Sequence, residues 1–178
     1  MLTSLVLVPT PAHAGKNKFD VAVGTFSAKS KTSNGGGTVS GLGLYQFSLR
    51  RAVAPQFELS AGFTIYFTQL IKGDSGSGLD LAVYYYPITT AGQSESSAEG
   101  ASFSLQETWR PYLAASFNQR NFQSVQTSYT GFGALAGIER TINSMMSATA
   151  TGRMLFLNAP RGASATETTF YGGLSFFW

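Results

Sequence analysis

The sequence contains no cysteine among its 178 residues, which removes disulfide staples, thiol nucleophiles and thiolate metal sites at once. Histidine is nearly absent as well, with His13 the sole copy. Charged residues make up only 12% of the chain, too few to coat an ordinary soluble surface with Lys and Glu. Long apolar runs are missing too: no window reaches the ~18–20 consecutive apolar residues of a membrane-spanning helix, so a helical integral membrane protein is excluded. The net charge of +3 comes without a basic run, which argues against a nucleic-acid partner. What the chain has in quantity is glycine, 20 residues, and aromatic side chains, 13%. Its length suits a single domain.

The opening stretch, MLTSLVLVPTPAHAG, joins a short apolar segment (residues 2–8) to Ala12-His13-Ala14, the A-x-A pattern of a secretory cleavage site. The expectation is a signal peptide over residues 1–14 and a mature domain over residues 15–178. Cleavage there takes His13 with it. Ser–His and His–Asp hydrolytic mechanisms then lack their ordinary base. A carboxylate pair such as Glu58 and Glu139 has the chemistry for acid–base work, but nothing in the sequence builds a substrate cleft beside it. The Gly35-Gly36-Gly37 run has no following Lys-Ser/Thr pair and reads as a turn rather than a phosphate loop. No cofactor or metal site is visible, and the expectation is a non-enzymatic protein.

From Gln56 the chain reads QFELSAGFTIYFT, in which Phe57, Leu59, Ala61, Phe63, Ile65 and Phe67 alternate with smaller or polar residues. Period two held for this long describes a β-strand of about 43 Å at roughly 3.3 Å per residue, whereas a helix would scatter the polar residues around its circumference. The same alternation recurs over residues 19–28, 39–50, 79–87, 109–117, 129–139, 145–156 and 170–178, for eight strands in all. Phe26 breaks the phase of the first, and Leu44-Tyr45 shifts that of the second as a bulge would. Longer polar loops are expected at residues 30–38, 72–78, 118–128 and 158–169, with tight turns at 51–55 and 141–143. Such alternation of long and short connections is that of an up-and-down antiparallel sheet in an outer membrane, with the short turns periplasmic. Residues 88–106 depart from it: they form a long connection rich in Ser, Gly and Ala, suited to disorder or to docking a periplasmic protein.

One face of these strands is bulky and apolar, and the other holds Gly, Ser, Thr, Asn and charge. A soluble barrel turns the apolar face inward and a membrane barrel turns it outward. Small and polar residues fit the narrow lumen of eight strands, and closure satisfies every backbone group without water. The fold class expected is therefore all-β, an eight-stranded antiparallel up-and-down transmembrane β-barrel. Aromatic girdles follow at both rims: Tyr45, Phe47, Phe57, Tyr85, Trp109, Phe176 and Trp178 at the periplasmic one, Phe67, Phe117, Phe156 and Phe170 at the other. Glu58 then faces inward, and the same phase places Asp20, Arg50, Asp80, Arg110, Glu139 and Arg153 inside. Buried charge is tolerated when paired, so these seven are expected to form networks that plug the lumen. Asp20, Arg50, Glu58, Arg110 and Glu139 fall toward the periplasmic half, Asp80 and Arg153 toward the outer half. In the expected outer loops Lys29, Lys31, Lys72, Arg120 and Arg161 outnumber Asp74 and Glu167, a surplus suited to lipopolysaccharide phosphates.

The final segment, TFYGGLSFFW, keeps Phe170, Leu174, Phe176 and Trp178 in one phase and ends on an aromatic. It resembles the C-terminal signal by which bacterial outer-membrane barrels are recognised for assembly. RPYLAASFN (residues 110–118) and GFGALAGIERTI (residues 131–142) resemble strands of the small OmpA/OmpX-like outer-membrane barrels. The resemblance implies an outer-membrane location, lipid and lipopolysaccharide as surroundings, and the barrel assembly machinery as a partner. The function expected is a structural, surface-interaction or assembly role with a plugged lumen. A narrow channel for ions or small solutes and a soluble periplasmic ligand-binding barrel are the alternatives.

Overall fold

The computed structural model describes residues 17–32, 35–67, 75–88, 109–122, 127–143 and 145–178. Eight strands follow in order: β1 (Asn17–Thr32), β2 (Gly35–Ala54), β3 (Phe57–Phe67), β4 (Ser75–Tyr85), β5 (Trp109–Phe122), β6 (Thr127–Asn143), β7 (Met146–Asn158) and β8 (Ser164–Phe177). Each pairs antiparallel with its neighbours, and β8 returns to β1 to close the barrel. The signal-peptide segment, Lys72, Asp74 and all of residues 88–106 except Ile88 lie outside the described residues.

The ladder sets the geometry. Followed around the barrel, one row of paired residues runs Lys18, Arg50, Ser60, Ala82, Ser116, Gly133, Leu155, Glu167 and back to β1 at Ala28. The circuit returns ten residues further along β1, from 18 to 28. A stagger of this kind forces the strands to tilt by about 35–45° from the axis. At about 3.3 Å per residue and such a tilt, β3 alone rises about 25 Å, the height of the apolar band on an outer-membrane barrel.

The outward face of that band is apolar: Leu59, Phe63, Leu81, Val83, Leu113, Phe117 and Leu174 are all exposed. Inside sit glycines, hydroxyls, tyrosines and charge. A soluble ligand-binding barrel carries the opposite arrangement, and this chain has the faces of a transmembrane barrel.

The strands reach further than the apolar alternation does, which corrects the expected loops. The β1–β2 connection shrinks to residues 33–34 and the β7–β8 connection to 159–163, the latter holding a single 3₁₀ turn, Pro160–Gly162. Beyond the apolar band both faces of a strand are polar, so period two disappears from the sequence while the ladder continues. Lys29 and Lys31 are accordingly strand residues on the outer wall, and Arg120 and Glu167 are strand residues inside it. Arg161 lies in the 3₁₀ turn.

Three smaller corrections concern phase and rim. Phe26 does not break the first strand; it stays on the inner face, 3% exposed, with its ring 5.0 Å from that of Tyr66. The ladder of β2 with β1 is irregular between Gly41 and Leu44, paired to Phe26 and Gly24, and that with β3 between Ala52 and Ala54, whereas Leu44 and Tyr45 alternate normally. Tyr45 belongs to the rim away from the termini, its ring 6.0 Å from Phe67. Both termini share the opposite end, where the Trp178 amide donates to the Asn17 carbonyl at 3.2 Å.

Candidate functional site

The chemistry-bearing residues of this barrel are inside it. Asp20, Arg50, Glu58, Asp80, Arg110, Glu139 and Arg153 all point into the lumen, joined there by Lys18, Arg120 and Glu167. Five acids thus face five cations, and none of the ten is more than 8% exposed. They separate into two layers.

The layer nearer the termini balances Lys18, Arg50 and Arg110 against Asp20, Glu58 and Glu139. Arg50 grips Asp20 with two nitrogens, Nε at 2.6 Å and Nη2 at 2.7 Å, the fork geometry that suits guanidinium to carboxylate. Ser48 and Ser175 support that pair with their hydroxyls. Lys18 Nζ lies 2.5 Å from Glu58 and 3.1 Å from Glu139. Arg110 reaches Glu139 at 2.5 Å, and the Ser147 hydroxyl donates to the same oxygen at 2.7 Å. Tyr86 caps the arrangement from the end of β4. Its hydroxyl accepts from Lys18 and Arg50 and lies 3.0 Å from Glu58 and 3.1 Å from Glu139, so its proton sits between two carboxylates.

The far layer is a closed ring of four ions. Arg120 bridges Asp80 (2.5 Å) and Glu167 (3.2 Å), and Arg153 bridges the same two acids at 3.3 and 3.2 Å. The Tyr66 hydroxyl donates to Glu167 at 2.9 Å and Thr64 donates to Asp80. Leu155, Leu157 and Tyr129 pack above this ring toward the far mouth.

Between the layers lies a waist of small residues filled by tyrosine. The Tyr84 and Tyr112 rings meet edge-on at 5.3 Å, and Tyr112 shares a 2.6 Å hydrogen bond with Thr151. Arg50 stacks against Tyr84 from one side, and Arg153 lies 5.5 Å from the Tyr171 ring on the other. Glycine makes room at two points: a Cβ on Gly137 would run into the Tyr112 hydroxyl, and one on Gly78 into the Arg120 guanidinium.

Buried charge in a narrow lumen is tolerable only where each ion has partners of opposite sign, and both layers meet that condition. Neutral, interlocked layers carry no net charge with which to attract or expel a solute. Among the described residues no group of His, Cys, Asp and Glu is arranged to hold a metal. The carboxylates Glu58 and Glu139 are committed to cations rather than aimed at an open cleft.

Three of the ten lumen charges escape a reading of the alternation. Lys18 stands one residue before the first apolar position and carries no signal of its own. Four acids against three arginines leave the lumen one cation short, a deficit that Lys18 fills, whereas Arg120 and Glu167 lie in polar stretches read as loops and enter as a neutral pair that charge balance does not reveal. Of the expected assembly-signal residues, Phe170, Leu174, Phe176 and Trp178 are all exposed on the outer wall of the C-terminal segment.

No protein-family model matches this sequence, and no curated protein matches it. Solved structures do resemble the fold. Neisserial surface protein A superposes with a TM-score of 0.63 at 14% identity, covering 94% of this chain and all of that one, 100%. The outer membrane protein OprG from Pseudomonas aeruginosa superposes with a TM-score of 0.52 at 11% identity, covering 93% and 97% of the two chains. The chain therefore has the fold of the small eight-stranded outer-membrane β-barrels.

Proposed function

We propose that this protein is an integral outer-membrane barrel whose lumen is closed by two neutral ion layers in series, and whose work is done at its rims and outer wall. The observation that carries the reading is the inversion of the faces: exposed apolar side chains outside, and every acidic side chain among the described residues paired inside. In this orientation the termini and the tight turns face the periplasm, and the opposite mouth faces outward. The role is structural, surface-interacting or assembly-related and non-enzymatic. In this reading the C-terminal aromatics serve recognition by the assembly machinery, and residues 88–106 serve to dock a periplasmic protein.

Three measurements test this. Membranes washed with carbonate are expected to retain the protein, and its gel migration is expected to shift on boiling; release by carbonate would remove the integral reading. In planar bilayers the purified protein is expected to give no steady unitary current, and uniform open steps would overturn the plug. A narrow path for water or small ions is the second reading. It draws on Gln46 and Tyr171, whose Oε1 and hydroxyl are buried at the waist without a hydrogen-bond partner in the protein.

A further inference from the structure

Charge is segregated in this molecule by sign as well as by face. Every described acid is in the lumen, whereas the described charged side chains exposed on the outer wall, Lys29, Lys31, Arg51 and Arg140, are all cations. The two ends differ in what surrounds those cations. Arg51 and Arg140 stand among apolar residues at the rim near the termini, and Arg140 stacks on Trp109 at 5.0 Å. Lys29 and Lys31 stand in a field of hydroxyls at the other end.

That field follows from the ladder, because directly paired residues share a face of the sheet. Lys29 pairs with Thr38 on β2 and Thr166 on β8, Ser27 with Ser40 and Thr168, and Lys31 with Gly36 and Ser164. The outward surface of β8, β1 and β2 is thus two ammonium groups set among hydroxyls, with no carboxylate among its described residues. The β8 apolar band ends at Phe170, paired with Thr25. Four residues on, Lys29 stands about 10 Å higher along the barrel axis, where lipid headgroups rather than chains surround the wall. A solvent-exposed strand pair needs no such bias toward one sign, and lipid-side hydroxyls with cations suit a phosphorylated sugar.

We infer that the outer wall of β8–β1–β2 binds the phosphate-bearing sugar headgroup of the outer-leaflet glycolipid, with Lys29 and Lys31 pairing its phosphates and the flanking threonine and serine hydroxyls bonding to phosphate or sugar oxygens. The inference rests on the outer-membrane reading and on the orientation proposed above. It is specific to the glycolipid: the Arg51 and Arg140 rim, with single cations among apolar groups, is not part of the site.

Native mass spectrometry of the detergent-solubilised barrel, titrated with diphosphoryl lipid A and with its dephosphorylated counterpart, tests this. The diphosphoryl form is expected to bind and the dephosphorylated form to bind at least about tenfold more weakly, as is the Lys29→Gln/Lys31→Gln variant toward the diphosphoryl form. Lys29→Arg/Lys31→Arg is expected to retain binding and Arg51→Gln/Arg140→Gln to leave it unchanged. Equal binding of the two lipids, an unaffected glutamine variant, or equally effective competition by phosphatidylglycerol would each overturn the inference. Heat-modifiable migration is read on every sample: its absence in the parent protein defeats the barrel reading itself, and its presence assigns a negative result to the lysines.

Discussion

The two ion layers bury charge in the same lumen with different connectivity. Near the termini, Glu139 is shared by Lys18, Arg110, Arg50, Ser147 and Tyr86, while Asp20 is nearly monopolised by Arg50. In the far layer each of the four ions has two partners of opposite sign, and no member is a hub. A hub concentrates the consequences of one substitution; a ring spreads them. Strand contribution explains the contrast. The near layer draws on β1, β2, β3, β5 and β6 and so ties most of the wall to one carboxylate, whereas the ring is confined to the side formed by β4, β5, β7 and β8.

Conductance separates the layers most sharply. If they act in series, Arg50→Ala or Arg153→Ala alone leaves one layer intact and the bilayer current at zero, while the combined variant passes steady current. A single variant that conducts would break the series view and make one layer the whole seal. Stability comes next. Glu139→Leu takes a shared partner from three cations, leaving Lys18, Arg50 and Arg110 against only Asp20 and Glu58, and is expected to lower unfolding free energy by about 3–5 kcal/mol, measured by urea titration in detergent micelles. Glu167→Leu leaves Arg120 and Arg153 still bonded to Asp80, and the expected loss is smaller, about 2 kcal/mol. Equal losses would erase the distinction between hub and ring.

How much of this was legible in the sequence depends on where lipid surrounds the strand. Across the apolar band, Phe57 to Phe67 alternates because one neighbour is hydrocarbon and the other a polar lumen, so the inward phase of Glu58, Arg110 and Glu139 can be read from their apolar neighbours. Past the band the outside is polar as well. The contrast vanishes, and Arg120 and Glu167 look like loop residues although the ladder still turns them inward. Tyr86 falls within the alternation read over residues 79–87, in phase with Asp80, so its inward side is legible, but its place at the centre of the near layer depends on the tilt, which pairing alone reveals. The bulge was detectable as a disturbance of phase in β2, but the glycines around residue 43 permit it at more than one position, and the ladder fixes it between Gly41 and Leu44.

Within the ring, a double-mutant cycle sharpens the comparison further. Arg120→Met and Arg153→Met share both acids, so their effects are expected to be non-additive, with a coupling of about 1–2 kcal/mol. In the near layer, Arg50→Met and Arg110→Met share chiefly Glu139, Arg50 at 3.9 Å, and the coupling is expected to be smaller. Additive losses for the ring pair would mean that each arginine is held by its own acid and that the closed circuit has no energetic meaning.

The smallest contrast lies between lumen and lipid. Gly137 faces inward against Tyr112, and a Cβ there would clash with the phenol hydroxyl and the Ala150 carbonyl, far closer than van der Waals contact allows. Gly172 faces outward, and a Cβ there meets only the Thr149 carbonyl, at 3.4 Å. Gly137→Ala must push the Tyr112 ring from its place beside Tyr84 and Thr151, an overpacking cost of about 1–3 kcal/mol. Gly172→Ala adds a methyl to a surface already in hydrocarbon and is expected to change stability by less than about 0.5 kcal/mol. The same side-chain increment thus reads the packing of the two faces independently of charge. Were Gly137→Ala as neutral as Gly172→Ala in micelle unfolding, the waist would have slack, and the tyrosines there would fill space without sealing it.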